Sequence, residues 1–244
     1  MSLTNTYLDE IQARIAKMQA TRMSQIEAAA ELCANSLMKK GVIHIHDTGH
    51  MVSSELVNRA GGFLAFSRLY LSMNIDNPNK YRASQPNPNG PQLGFMPYAL
   101  RASNVRPGDV IIIGSVSGRT APQVELALQA REMGIPTIAL TAVAHSSKLT
   151  SEHPTGKRLF EATDLVLDHP TEYGDAMFEV PGLAYPVIPS SGIMGAVMLW
   201  SVAAGIIERM VAAGMPPTVF RSVNLPGGGD MIKAVEQEYV EKGY

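Results

Sequence analysis

The sequence predicts an α/β fold in which a parallel sheet is covered by helices on both faces. Short, almost continuous apolar runs at residues 110–114, 136–141 and 165–168 have the length and composition of buried parallel strands. Helical or polar segments separate these runs, and such alternation builds a parallel sheet with right-handed crossovers. We expect a ligand site at the carboxyl ends of the strands, where ligands of these sheets bind.

A helical arm is expected ahead of this sheet. We predict an arm at residues 1–40 and one α/β domain at residues 41–244, a length that can bury a sizeable core. The arm contains two helical patterns, whose apolar faces consist of Leu8, Ile11, Ile15 and Met18 in the first and Ile26, Ala30, Cys33 and Leu37 in the second. These faces pack either on the chain's own domain or on a second subunit.

Two more strands are predicted between the arm and residue 110. Residues 42–46 form a short β-rich run, and a polar turn that contains a glycine follows at residues 47–50. A helix is expected from about Val52 to Gly61. Residues 63–71 form another short apolar run, so the sheet has about five strands.

Two long segments are predicted as loops. Residues 74–97 are rich in Asn and Pro and have the period of neither helix nor strand. A loop of this length is uncommon in a compact domain, and it is either a lid over a site or a surface excursion. A second loop is expected at residues 169–189, and Ser190 and Ser191 then cap a long apolar helix that ends at about Ala213.

Composition argues against several kinds of partner. The net charge is −2, and no cluster of Lys and Arg forms the basic surface that nucleic acids require. No signal peptide is visible, and the charge-free run at residues 192–207 is shorter than the roughly 20 residues that span a bilayer. The single cysteine, Cys33, is expected to be a buried, inert thiol. We therefore expect a cytoplasmic protein with neither a nucleic-acid nor a membrane partner.

The run at residues 115–120 reads S-x-S-G-x-T and joins a predicted strand to a predicted helix. Free backbone N–H groups, hydroxyl donors and the positive end of a helix dipole make such a turn an anion site, and phosphate is its natural ligand. The run is no Walker loop, because it lacks Gly-Lys-Ser/Thr, and no dinucleotide-binding turn, because it lacks G-x-G-x-x-G. Arg119 either adds positive charge at the phosphate or lies in solvent.

Residues 115, 117, 118 and 120 match the phosphosugar loop of the sugar isomerase (SIS) domain family, which this chain resembles. Other motifs resemble the UPF0309 subgroup of that family: Thr48-Gly49-His50, Arg59-Ala60-Gly61-Gly62, Ala139-Leu140-Thr141, Ala144-His145-Ser146, His153-Pro154, Gly156-Lys157-Arg158-Leu159, Gly174-Asp175-Ala176 and Phe220-Arg221-Ser222. The resemblance implies a Rossmann-like three-layer αβα sandwich, homodimers or higher oligomers, and binding of a phosphorylated sugar. The expected phosphosugar-binding residues are Thr48, Gly49, Ser115, Ser117, Gly118, Arg119 and Thr120.

The chain departs from the subgroup's first loop at two positions. Where the subgroup usually reads Gly-Thr-Gly-His-Ser, this chain has Asp47 in place of the first glycine and Met51 in place of the serine. In several family members that serine contacts the sugar phosphate, so Met51 removes a hydroxyl donor. Asp47 places a carboxylate near the anion site, and it weakens phosphate binding if it points inward.

The resemblance also implies candidate catalytic residues. Aldose–ketose isomerisation requires a base beside the carbonyl, a donor for the enediolate and a group that helps to open the ring. Glu55 lies near the position of a catalytic glutamate in some family members, or it is only a partner of Arg59 four residues on. His50 on the first loop and Glu172 after the last strand are comparable candidates.

Further histidines have two interpretations each. His153 and His145 lie in a polar segment, and they either reach a neighbouring subunit's site, as a histidine does in some SIS isomerases, or lie on the surface. His44 and His46 alternate along one strand, but no acidic residue in ligand spacing accompanies them, so we expect no metal site. Arg158 is expected on a solvated face.

Two classes of function remain open. The first is an enzyme without metal or organic cofactor, namely a phosphosugar isomerase or, as a lesser alternative, a phosphosugar lyase or etherase. The second is a non-catalytic module that senses a sugar phosphate and regulates a partner. A weaker interpretation is a vestigial anion site, with Asp47 and Met51 as signs of its decay.

Overall fold

Parallel strands form the central sheet, and their bounds are β1 (Ile43–Asp47), β2 (Phe66–Arg68), β3 (Val110–Gly114), β4 (Thr137–Thr141) and β5 (Leu165–Asp168). Their order across the sheet is β2-β1-β3-β4-β5. The computed structural model describes residues 2–48, 53–72, 81 and 92–244. Each strand lies within or beside a run that the sequence predicts as a strand, and every pairing is parallel, so the predicted sheet is confirmed.

Helices cover both faces of this sheet. Their bounds are α1 (Leu3–Met38), α2 (Ser53–Leu56), α3 (Gln92–Ala102), α4 (Ala121–Glu132), α5 (Val143–Ser146), α6 (Leu159–Ala162), α7 (Ser191–Ala212) and α8 (Gly228–Lys242). On one face, Ile43 and Ile112 pack in a core shared with α1 and α7. On the other, Ile111 and Ile113 pack with residues of α3, α4 and α6. The predicted three-layer sandwich is confirmed.

One continuous helix, α1, replaces the two helices that the sequence predicts for the arm. No glycine or proline occurs between residues 3 and 38, so nothing in the backbone ends the helix. Its buried apolar residues pack on the chain's own α7 and β5. At the closest approach, a Cβ on Gly205 of α7 would lie 2.8 Å from the Cβ of Ala30. Most of the predicted apolar face of the arm therefore packs on its own domain, whereas Leu8 near its start is 52% exposed.

Two predictions about individual apolar segments are confirmed. Cys33 is fully buried in α1, and burial raises the pKa of its thiol to about 12, so it is an inert thiol. Helix α7 follows the predicted long apolar helix closely. Among the described residues, only α7 is long and apolar enough to cross a membrane, and half of its apolar window is buried inside the protein. We therefore assign α7 to the core.

Several local predictions are wrong. Helix α2 has four residues and does not reach Gly61, and Asn58 just after it adopts a left-handed conformation with φ of 57°. Helix α3 begins inside the predicted loop at residues 74–97, because buried Met96 and Leu100 anchor it despite Pro97. Residues 73–80 and 82–91 lie outside the described residues, so the choice between lid and surface excursion stays open.

The second predicted loop contains an antiparallel hairpin, β6 (Ala176–Phe178) and β7 (Val187–Pro189). The cap of α7 also differs from the prediction. Ser190 precedes the helix, yet its hydroxyl hydrogen-bonds Thr171, and the backbone N–H groups of Ser190 and Ser191 donate to Asp175 instead. The capping group therefore comes from the turn before β6.

Candidate functional site

The carboxyl ends of four strands meet at one edge of the sheet. In the strand register, Asp47 pairs with Gly114, and Thr141 pairs with Asp168. The polar turns that follow β1, β3, β4 and β5 therefore lie side by side, as the sequence predicts. Thr48, just after β1, is exposed and donates its backbone N–H to the carbonyl of Gly114 at 3.3 Å. Thr48 and residues 115–120 thus lie next to each other.

The turn at residues 115–118 is closed by its own first serine. Buried Ser115 donates its backbone N–H to the carbonyl of Leu140 at 3.0 Å, which fixes the start of the turn on β4. Its Oγ accepts the backbone N–H of Gly118 at 3.2 Å. The hydroxyl proton of Ser115 remains free to donate, because Oγ is the acceptor in that bond.

Gly118 cannot be replaced by a residue with a side chain unless the neighbouring residues shift. Its φ is 54°, in the left-handed region that favours glycine. A Cβ at this position would lie 3.1 Å from the Cβ of Leu159 and 3.1 Å from Oγ of Ser146. The carbonyl of Gly118 also accepts the N–H of Leu159 at 2.7 Å. Residues at the start of α6 and the end of α5 therefore pack against the turn at Gly118.

Helix α4 begins at this turn without a side-chain cap. Thr120 occupies the N-cap position, but its hydroxyl bonds Oε1 of Gln123, so no side chain caps the N–H groups of Ala121 and Gln123, and Pro122 between them has no N–H. Ser117 is half-buried, and its hydroxyl makes no hydrogen bond within the part of the chain that the structure describes. Uncapped N–H groups, the helix dipole and a free hydroxyl are the features that anion-binding helix N-termini share.

Arg119 is engaged by a neighbouring carboxylate. Its Nη2 lies 2.5 Å from Oε1 of Glu152, and its carbonyl accepts the backbone N–H of Glu152 at 2.8 Å. Both side chains are more than two-fifths exposed. Arg119 therefore lies at the surface in an ion pair, where an anion would compete with Glu152 for the guanidinium.

The predicted catalytic residues are dispersed. Glu55 forms an ion pair with Arg59 at 3.3 Å. Glu172 faces α1, where its Oε1 lies 3.7 Å from Nζ of Lys17. His50, like Gly49 and Met51 of the first loop, lies outside the described residues. The structure therefore does not bring Glu55 and Glu172 into contact with the S-x-S-G-x-T turn.

His153 lies against α4, and both of its ring nitrogens are occupied. Nδ1 accepts the backbone N–H of Thr155 at 3.2 Å, so in the neutral ring Nε2 carries the proton. Nε2 lies 2.8 Å from Oε2 of Glu125, and the imidazole is 5% exposed. A ring in this arrangement stabilises the segment after α5 and is not available to a ligand without rearrangement.

The sequence gives no sign of the contacts that hold α5 beside the turn. Asp168 at the end of β5 accepts the backbone N–H of Val143 at 2.9 Å and pairs with Arg22 of α1 at 2.8 Å. Arg158 donates to the carbonyl of Ser147 at 2.8 Å and pairs with Glu161, so on the predicted solvated face its side chain is partly buried and held by partners, at 21% exposure. The hydrogen bonds from Arg158 lower the pKa of Glu161 to about 2.

The two histidines of β1 have different structural partners. His44 Nε2 lies 3.0 Å from Oδ2 of Asp109, which also accepts the N–H of Arg106. His46 donates Nδ1–H to the carbonyl of Leu69 at 3.0 Å, and burial lowers its pKa. Asp109 is thus an acidic partner of His44, which the spacing of residues in the sequence did not predict. Within the described ranges, no three His, Cys, Asp or Glu side chains form a group that could hold a metal ion.

Comparisons with known proteins place these features in a family. The sequence profile of the SIS domain matches residues 6–142. The chain is 31% identical over 246 residues to the UPF0309 protein of Oceanobacillus iheyensis, in an alignment that covers 97% of this chain and 98% of that protein. It is 32% identical over 243 residues to the UPF0309 protein of Caldanaerobacter subterraneus, covering 96% and 97% of the two chains.

Solved structures show the same fold at lower sequence identity. A phosphoheptose isomerase from Neisseria gonorrhoeae has a TM-score of 0.51 and 20% identity over 83% of this chain and 95% of that chain. The sugar isomerase domain of an RpiR transcription factor from Sphaerobacter thermophilus has a TM-score of 0.50 and 17% identity over 99% of both chains. At these identities the likeness concerns the fold alone, and the fold carries both a catalytic and a regulatory protein.

Proposed function

The chain belongs to the SIS domain family and is a UPF0309 protein, and on that premise we propose that it binds a phosphorylated sugar. The phosphate lies at residues 115–120, against the uncapped N-terminus of α4. The observation that carries this proposal is that Thr120 leaves the first turn uncapped while the hydroxyl of Ser117 has no partner among the described residues. A phosphate dianion accepts several hydrogen bonds and complements the positive end of the dipole.

The finer proposal is that the protein is an aldose–ketose phosphosugar isomerase. Proton abstraction beside the carbonyl requires a base, and Glu55 is the described carboxylate that follows the first loop. Its side chain is 41% exposed, so it is accessible to a ligand. The expected homodimer also stays a prediction, and light scattering in solution tests it.

A second candidate function is a non-catalytic sensor of a sugar phosphate. It is favoured by the pairing of the predicted catalytic groups, since Glu55 is held by Arg59, Glu172 by Lys17, and His153 by Glu125. The two candidates differ in turnover. Under the isomerase, Glu55→Gln abolishes interconversion of aldose and ketose phosphates and spares binding, whereas the sensor binds a sugar phosphate and leaves it unchanged.

The experiment that tests binding is a thermal-shift screen of aldose and ketose phosphates of four to seven carbons, with and without an acetamido group. Each is paired with its unphosphorylated counterpart. A ligand at a hundred times its dissociation constant adds about 2.7 kcal/mol to the free energy of unfolding. We expect a shift that depends on the phosphate, is lost in Ser117→Ala, and is retained in Ser147→Ala, which removes an exposed hydroxyl of the neighbouring segment.

Two results would contradict the proposal. One is an equal shift with the unphosphorylated sugars, because the α4 terminus would then contribute nothing to recognition. The other is a full shift in Ser117→Ala, because the phosphate would then bind elsewhere.

A further inference from the structure

A cluster of three side chains lies next to the phosphate turn, at the ends of β4 and β5. His145 belongs to α5, Lys148 follows that helix, and Tyr173 follows β5. The ring centroids of His145 and Tyr173 are 5.2 Å apart, with the planes tilted by 32°. Nζ of Lys148 lies 4.9 Å from the centroid of the Tyr173 ring. Tyr173 is 54% exposed, so the cluster is at the surface.

The tautomer of His145 is set by the backbone. Gly174 donates its N–H to Nδ1 at 3.0 Å, and a backbone N–H can only donate, so Nδ1 is the acceptor and Nε2 carries the proton of the neutral ring. Burial lowers the pKa of this imidazole, Asp175 partly opposes that lowering, and the ammonium of Lys148 lowers the pKa by a smaller amount. The ring is therefore a neutral donor at pH 7.

The hydrogen-bond donors of this cluster remain available to a ligand. Nε2 of His145 has no hydrogen-bond partner within the described ranges. The nearest acidic side chains are used elsewhere: both oxygens of Asp175 accept hydrogen bonds at the start of α7, and Glu172 faces Lys17 of α1. Tyr173 contacts both His145 and Lys148 and holds them side by side.

The cluster is joined directly to the phosphate turn. The carbonyl of Val116 accepts the hydroxyl of Thr141 at 3.1 Å and the N–H of Ala142 at 3.3 Å, immediately before α5. Oγ of Ser146, the residue after His145, would lie 3.1 Å from a Cβ at Gly118. Neighbouring strands lie about 4.8 Å apart, so the ends of β3 and β5, two strands apart in the sheet, are separated by about 10 Å.

We propose that Nε2–H of His145 and Nζ of Lys148 form the subsite for the hydroxyl and carbonyl oxygens of the sugar, with Tyr173 as the positioning residue that holds them. This inference rests on the proposed function, because the phosphate in the turn at residues 115–120 fixes which part of the ligand reaches the subsite. The subsite recognises the sugar and makes no contact with the phosphate.

Titration calorimetry with two probes tests this division. The probes are inorganic phosphate and the phosphosugar that gives the largest thermal shift. In His145→Asn the amide oxygen still accepts the N–H of Gly174 while the Nε2–H donor is lost, and Lys148→Met keeps the side-chain stem. We expect each variant to weaken phosphosugar binding about tenfold and to leave the affinity for inorganic phosphate unchanged. Tyr185→Phe, at an exposed tyrosine outside the cluster, is the control and should bind both probes like the unmodified protein.

The outcomes separate this inference from the proposed function. Unchanged phosphosugar affinity in the double variant His145→Asn, Lys148→Met overturns the subsite and leaves the phosphate site standing. Equal weakening of both probes also overturns it, since the cluster would then only support the turn. If the unmodified protein binds neither probe, the proposed function fails and the subsite fails with it.

Discussion

Both carboxylate oxygens of Asp175 accept hydrogen bonds from Ser191, Oδ1 from the backbone N–H at 2.9 Å and Oδ2 from the hydroxyl at 2.6 Å. Oδ1 also accepts the N–H of Ser190 at 3.0 Å. The cap of α7 is thus a carboxylate placed at the positive end of the helix dipole. Because Asp175 follows Tyr173 and Gly174, this cap also anchors the turn that carries Tyr173 of the proposed sugar subsite.

Replacement of Asp175 should destabilise the protein. Asp175→Ala leaves two N–H groups at a buried helix start without their acceptor, and we expect the free energy of unfolding to fall by about 2 kcal/mol. Urea denaturation measures this loss. Asp230→Ala, in the exposed first turn of α8, is the matched control and should cost less than about 0.5 kcal/mol. Equal losses in the two variants would show that the Asp175 cap adds no stability.

Gly118→Ala should damage both stability and ligand binding. The left-handed backbone costs about 1 to 2 kcal/mol for a residue with a Cβ, and the new carbon would also press on Leu159 and Ser146. Gly134→Ala is the control, because Gly134 has φ of 72° but open space around its Cα. We expect both variants to lose stability in denaturation, and only Gly118→Ala to lose phosphosugar affinity. Normal affinity in Gly118→Ala would remove the turn from the binding site.

Acidification should destabilise the protein through His169. This imidazole is 1% exposed, and burial lowers its pKa to about 4 from the ordinary value of 6.5. Between these values the unfolded chain binds a proton that the folded protein does not, so the stability present above pH 6.5 is lost as the pH falls to about 4.

The size of this effect can be measured by difference. From pH 7 to 4.5, the free energy of unfolding should fall by about 2.5 kcal/mol more in the unmodified protein than in His169→Gln. Urea denaturation at the two pH values, with both proteins in the same buffers, gives the comparison. Parallel losses in the two proteins would mean that His169 is protonated in the folded state.

The centre of the sheet could be predicted because β3 and β4 are fully buried and lie in nearly continuous apolar runs. Residues 110–114, for example, form both the predicted and the observed β3. The hairpin could not, because β6 and β7 have three residues each and their side chains are only partly buried or exposed. Helix α3 could not be predicted either, because the burial of Met96 and Leu100 in the core stabilises a helix that Pro97 disfavours locally.

The strand-to-helix turn could be predicted because its residues are contiguous in sequence, from Ser115 to Thr120, whereas its binding of phosphate stays a prediction. The sequence suggested the pairing of Glu55 with Arg59 four residues on, but Glu172 and His153 could not be placed in the same way, because their partners lie far along the chain. Glu172 lies beside Lys17, which is 155 positions away in the sequence, and His153 lies beside Glu125. Only the packing of α1 and α4 on the sheet determines those directions.

The central claim is that residues 115–120 hold the phosphate of a phosphorylated sugar. A crystal structure of the protein with the phosphosugar from the thermal-shift screen tests it most directly. We expect the phosphate oxygens at about 3 Å from the hydroxyl of Ser117 and from backbone N–H groups at the start of α4. A phosphosugar bound with its phosphate at any other place, and with the α4 terminus unoccupied, would contradict the claim.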